Sequence, residues 1–200
     1  MKAGSVICLT LLVLSLILVP PSHASLVSVD DAVFGVGSVT RDTATNLEWL
    51  DVSKTASTNR NYVLAQLVTG GAFAGWHYAT GAETLGLIAA AGIPTGSGLT
   101  DPAVFAAVAS FATLVGSTVT QSGYPEVYAQ IVTGESYGAN FYFFNGNRTY
   151  DTGYLGGGMG GGTQFSSWLV RDAAPVPIPG AVWLLGSGLL GLIGVRRYTR

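Results

Sequence analysis

Thiols are all but missing from this sequence: its one cysteine, Cys8, lies inside an N-terminal apolar block. A domain downstream of that block can form no disulfide, thiolate nucleophile or cysteine-ligated metal centre. Histidine is nearly as scarce, with only His23 and His77. A metal site or a Ser-His-Asp triad would therefore rest on His77, which is flanked by Trp76 and Tyr78, and a packed or hydrogen-bonded role is the simpler reading. Charge is the third shortage. Asp, Glu, Lys and Arg make up 10% of the chain, against about 25% in an ordinary soluble domain. Four of the nine basic residues (Lys2, Arg196, Arg197, Arg200) sit at the ends, and all eleven acidic residues lie between them. The interior thus sets five cations, Arg41, Lys54, Arg60, Arg148 and Arg171, against eleven carboxylates, a net charge of −6. No basic stripe can be assembled from so few cations, so nucleic acid is not an expected partner.

What is abundant is apolarity, at 48% of residues, and much of it lies in two blocks, residues 6–19 and 181–195. Between them about 150 residues remain, enough for one core and one domain. At the N-terminus Lys2 supplies a positive charge, residues 6–19 an apolar run, and Ser22-His23-Ala24 small residues ahead of a cleavage point. This order predicts a signal peptide over residues 1–24, cut between Ala24 and Ser25. Pro20 and Pro21 break the run, and it is short for a membrane span.

The C-terminal 26 residues, 175–200, fall into three parts. Val176-Pro177-Ile178-Pro179 holds an extended, enzyme-accessible segment, because proline fixes its own backbone and biases its predecessor away from helix. Residues 180–195 follow, with Trp183, Leu184, Leu185, Leu189, Leu190, Leu192 and Ile193 as the apolar anchor. As a helix this stretch would reach about 24 Å, marginal against a hydrocarbon core of roughly 30 Å, which suits a weak or temporary anchor. Arg196, Arg197 and Arg200 close the chain as a cytoplasmic stop, and the positive-inside rule then puts the domain across the membrane.

This tripartite tail resembles the PEP-CTERM sorting domain of Gram-negative bacteria. The resemblance implies recognition by exosortase, a membrane-embedded transpeptidase resembling cysteine peptidases. Cleavage near the proline motif, release or reattachment at the surface, and an association with exopolysaccharide production follow from it. Ile178 stands where the family usually has glutamate, a departure resembling a Val-Pro-Leu-Pro-type variant.

The middle, residues 25–174, reads as α+β: an antiparallel sheet with two or three packed helices, flanked by the signal helix and the C-terminal transmembrane helix. An opening strand runs from Ser25 to Val39 with a turn near Gly35 to Gly37, and a second extended stretch covers Leu47 to Val52. Tyr62, Leu64, Ala65, Leu67 and Val68 give a helical face that ends at Gly70-Gly71. Thr80-Gly-Ala-Glu83 is a capping box for a helix to about Ala91. Asp101-Pro102 pairs an N-cap with a proline at the first helical position, opening a helix through about Val115. Strands are predicted over Val127 to Val132, Phe141 to Phe144 and Ser167 to Arg171, with first and last strands as possible neighbours.

Thr43 to Asp51, Gly75 to Glu83 and Trp168 to Asp172 together resemble an ectodomain that recurs upstream of PEP-CTERM tails. They also distantly resemble lectin-like domains, which would imply carbohydrate binding. Asp30, Asp31, Glu48, Asp51 and Asp151 are oxygen donors without a calcium-loop spacing. Gly153 to Gly162 lacks the lysine of a phosphate-binding loop and predicts a hairpin loop. Asn147-Arg148-Thr149 is a glycosylation sequon of the kind that arises by chance. Tyr62, Trp76, Tyr78, Tyr124, Tyr128, Tyr137, Tyr142, Tyr150 and Tyr154 could stack on sugars where several are exposed together.

The expectation is a non-enzymatic, cofactor-free surface or extracellular-matrix protein, with signal peptidase, an exosortase-type enzyme, the membrane and exopolysaccharide as partners. It would be anchored in the inner membrane with its domain in the periplasm, then moved to the cell surface or beyond. A lectin-like glycan-binding module is the alternative, and a hydrolase the third reading. An exposed aromatic cleft with adjacent carboxylates would mark the lectin, and His77 within reach of a serine and an acid the hydrolase.

Overall fold

In a computed structural model, which describes residues 25–156 and 166–174, local turn chemistry cuts the chain into short strands around three helices. The fold is α+β, and its strands form two sheets where the sequence predicted one. Strands β1 (Leu26–Asp31), β2 (Gly35–Asp42), β3 (Leu47–Leu50), β4 (His77–Tyr78) and β11 (Leu169–Asp172) make the first sheet, in the order β1-β2-β3-β11-β4. The second is ordered β10-β7-β8-β9-β5, from β5 (Gly96–Leu99), β7 (Tyr124–Gln130), β8 (Ser136–Phe144), β9 (Asn147–Gly156) and β10 (Ser166–Ser167), with β6 (Val119–Gln121) on β7. All pairings are antiparallel except β10 with β7.

The expected opening strand is a hairpin: Asp31 Oδ1 accepts from the N–H groups of Val33 and Phe34 and turns β1 into β2. The last strand, β11, lies between β3 and β4 and does not neighbour β1. Glycines 153 and 156, assigned from sequence to a hairpin loop, belong to β9, and residues 157–165 lie outside the described residues.

Helix ends follow the capping signals. Helix α1 (Arg60–Gln66) starts where the Asn59 side chain accepts from Asn61 N–H. It ends four residues before Gly70, and it buries Val63 while leaving Tyr62, Leu64 and Val68 exposed. Most of the apolar face read from sequence is therefore turned outward, and of its members only Leu67 packs against the core. Helix α2 (Gly81–Ala90) carries the full capping box: Thr80 accepts from Glu83 N–H, and Glu83 accepts from Thr80 N–H. Helix α3 (Pro102–Val115) starts as expected, with Asp101 accepting from Ala103 N–H, and stops at Gly116 with φ +76°.

Helix α3 lies against both sheets, through β1, β2 and β7, and its Val104, Val108, Phe111, Ala112 and Val115 fill the main core. That core takes Trp49 and Val170 from one sheet, Val127, Ala129, Ala139, Phe141 and Tyr150 from the other, and Trp168 from the link between them. A smaller cluster of Val39, Leu50, Val63, Phe73, Trp76, Tyr78 and Leu169 lies under α1. Trp168 stands where the chain passes from β10 to β11, and so from one sheet to the other. It is fully buried, meets Trp49 edge-on at 5.9 Å, and donates from Nε1 to Tyr137 O at 2.9 Å. Among the described residues no helix is long and apolar enough to cross a membrane.

Candidate functional site

The sorting residues predicted from sequence, Ala24, Val176, Pro177, Ile178, Pro179, Trp183, Leu184, Leu185, Leu189, Leu190, Leu192, Ile193, Arg196, Arg197 and Arg200, lie outside the described residues. Ser25 is exposed, and its N–H donates to Thr43 Oγ1 at 3.1 Å.

The candidate calcium ligands are dispersed. Asp31 and Glu48 flank Arg171, whose guanidinium donates to Asp31 Oδ2 and Glu48 Oε2, each at 2.8 Å, and lies 4.2 Å from the Trp76 ring centroid. Arg41 pairs with the second oxygen of Glu48. Burial raises the Glu48 carboxyl, but hydrogen bonds and charge from Arg41 and Arg171 outweigh it, so it sits below the usual range. Asp31 behaves alike: against burial, the Val33 and Phe34 N–H groups and Arg171 hold it down. Asp151 accepts from Ser97 Oγ, Gly98 N–H and Tyr142 OH, and Asp30 from Gly37 N–H. Asp51 is different. Its Oδ1 is buried without a hydrogen bond, and burial pushes the carboxyl up to about 6 against the pull of Lys54. No group of three His, Cys, Asp or Glu side chains placed to hold a metal occurs among the described residues.

His77 is exposed, with Nε2 3.9 Å from Glu83 Oε1, too far for a hydrogen bond. The other carboxylate oxygen of Glu83 is engaged by Thr80. Ser167 shares a hydrogen bond of 2.8 Å with Tyr78 and lies beside Thr55, inside the protein. Serine, histidine and acid are thus not brought together at His77.

A cleft forms instead at the far end of the second sheet. Asn145 and Gly146, with φ of 49° and 79°, make the two-residue turn between β8 and β9, the left-handed pair that a tight hairpin requires. This turn sets Phe141 opposite Tyr150 and Phe143 opposite Arg148. With side chains alternating along each strand, all four share the face that also carries the core. Beyond the helix that face opens to solvent: Phe141 is buried and Phe143 is 52% exposed. On the opposite wall the Asp101 cap and Pro102 place Phe105 one turn into α3. Phe105 meets Tyr124 and Tyr150 edge-on at 5.6 and 5.0 Å. Tyr124, the first residue of β7, stacks on Phe141 at 4.4 Å.

The result is a cleft of about 650 Å³ lined by Thr100, Pro102, Phe105, Tyr124, Gly146, Asn147 and Arg148, within the roughly 300–1,000 Å³ of small-molecule sites. The Arg148 guanidinium lies 5.2 Å from the Tyr124 ring centroid and pairs with no carboxylate among the described residues. Beneath the cleft Tyr150 donates to Pro125 O at 2.7 Å, and burial, reinforced by the Glu126 carboxylate, pushes its phenol up to about 12. It stays a proton donor throughout the physiological range.

Of the aromatic residues singled out from sequence, only Tyr124 lines the cleft. Trp76, Tyr78 and Tyr150 are buried, and Tyr62 and Tyr154 are exposed elsewhere. Phe105 and Arg148 carry most of the site and were not candidates, although the proline-capped start of α3 fixed the position of Phe105. Comparison with protein-family models, curated proteins and solved structures finds no match to this chain.

Proposed function

We propose that this chain is an exported surface or extracellular-matrix protein, sorted by an exosortase-type enzyme and associated with exopolysaccharide without catalysing a reaction. The observation that carries the proposal is the order of the C-terminal parts: Val176-Pro177-Ile178-Pro179, an apolar stretch studded with glycine, then Arg196, Arg197 and Arg200. The N-terminal basic residue, apolar run and Ala24-Ser25 junction demand the same topology. Signal peptidase would release residues 25–200 into the periplasm, the tail would hold the domain at the inner membrane, and cleavage near Pro179 would pass it to the surface.

Mass spectrometry of the protein purified from its own host, with and without exosortase, tests this. The mature C-terminus should fall near residues 176–180 in the wild type and at Arg200 in the deletion strain. A wild-type protein still ending at Arg200 would refute the processing. The lectin-like reading is favoured by the cleft, where Phe105 and Tyr124 offer apolar surface beside the polar Thr100, Asn147 and Arg148.

A further inference from the structure

We infer that the cleft between the start of α3 and the β8–β9 hairpin binds a carboxylated sugar, a uronate unit of an acidic glycan. This rests on the glycan-binding reading above and adds the chemistry of the ligand. Arg148 is the reason. Of the four arginines among the described residues, Arg41 and Arg171 are committed to Glu48 and Asp31, and Arg60 donates to the Val132 carbonyl. Arg148 alone has no oxygen of the described residues as hydrogen-bond partner and instead lies over the Tyr124 ring. A guanidinium on an aromatic face keeps its planar fork in a restricted orientation with its donors outward. The fork matches a carboxylate through two parallel hydrogen bonds.

Charge complementarity narrows the ligand further. The domain carries a net −6, so an acidic polymer is disfavoured over most of its surface and is accepted where an unpaired cation waits. Pro102 and Phe105 add an apolar wall for the C–H face of a pyranose, and Thr100 and Asn147 face its hydroxyls. A bare anion would use the guanidinium and waste that wall. A neutral sugar would use the wall and leave the guanidinium donors unmatched.

The full-length chain in detergent micelles should be titrated calorimetrically with a trimer of galacturonic acid and with its uncharged methyl ester. The acid should bind about ten- to a hundredfold more tightly than the ester, and the gap should narrow with added salt. Arg148→Ala should erase the gap by weakening the acid far more than the ester. Arg148→Lys should restore part of it, and Lys54→Ala, which removes the same charge elsewhere, should leave it intact. Equal affinity for acid and ester, or a gap that survives Arg148→Ala, overturns the uronate assignment and leaves the glycan-binding reading standing. Binding of neither trimer sinks both. Competition by inorganic phosphate as strong as that of the trimer, or self-association that Arg148→Ala abolishes, overturns the assignment by making the cleft a bare anion site or a contact between copies.

Discussion

Arg171 and Arg148 both lie over aromatic rings, 4.2 Å from the Trp76 centroid and 5.2 Å from that of Tyr124, yet they sit in opposite circumstances. Arg171 is gripped by two carboxylates from different parts of the chain. Through Asp31 it ties down the β1–β2 turn, and through Glu48 it joins β11 to β3. Its donors are spent on holding the first sheet together. Arg148 stands near the tip of a hairpin at the end of the second sheet with no carboxylate attached among the described residues. The same residue type over the same kind of ring is structural in one place and available in the other, and pairing separates the two.

Breaking the paired side should give the largest effect. Glu48 is 4% exposed and receives both Arg41 and Arg171, so Glu48→Ala strips Arg41 of its carboxylate and leaves Arg171 with Asp31 alone. Losing one partner of a fully buried pair costs about 3–5 kcal/mol and an exposed pair under about 1. With Arg171 partly in solvent, about 2–3 kcal/mol is expected at pH 7 by urea unfolding. Glu48 and Asp31 also set the acid limb. Their carboxyls are held below the ordinary range in the folded protein, so their stabilisation is present above the unfolded pKa near 4 and is lost as pH falls through the folded value. Glu48→Ala should flatten that limb. A variant as stable as the wild type at pH 7 would show that the network contributes nothing.

The network was hidden in the sequence because its centre comes from afar: Arg41 and Glu48 face each other across the β2–β3 hairpin, but Arg171 reaches Glu48 and Asp31 only when β11 enters between β3 and β4. Signals that act within one turn were legible. Thr80 to Glu83 and Asp101-Pro102 marked two helix starts correctly, since a cap is satisfied by its own neighbours. Strand β9 was missed altogether: Asn147-Arg148-Thr149 drew notice only as a sequon, and Gly153 and Gly156 look like loop. Its partner Gly138 shows what the sheet demands there, since a Cβ at that position would sit 1.7 Å from Val127 O. The passage between sheets at Trp168 left no local mark, and the cleft could not be read because residues 100–105, 124 and 146–148 converge only in the fold.

Asp51 sharpens the comparison by showing a carboxylate buried without a cation bound to it. Its pKa is raised to about 6, so the sign is opposite to that of Glu48: the favourable contribution is complete below the unfolded pKa near 4 and is lost as pH rises through about 6. At pH 7 the charged form is a liability, and Asp51→Asn should stabilise the fold by about 1–2 kcal/mol, less than the full shift implies because the side chain is partly solvated. The advantage should shrink steadily as pH falls from 7 to 4. An advantage that is the same at both ends would assign it to something other than the charge.

The unpaired side should give the smallest effect on stability. Arg148→Ala removes a guanidinium that joins no strands among the described residues, where it contacts the Tyr124 ring. A cation–π contact at an exposed site contributes roughly 0.5–1 kcal/mol, and surface substitutions away from networks generally stay within about 0.5. The expected loss is therefore under about 1 kcal/mol, a few degrees of Tm at most for a domain of this size. Phe141 still stacks on Tyr124 and Phe105 still meets its edge, so the cleft wall persists and only its cation is gone. If Arg148→Ala instead lost as much stability as Glu48→Ala, the hairpin arginine would be structural after all, and availability could no longer be read from the absence of a carboxylate.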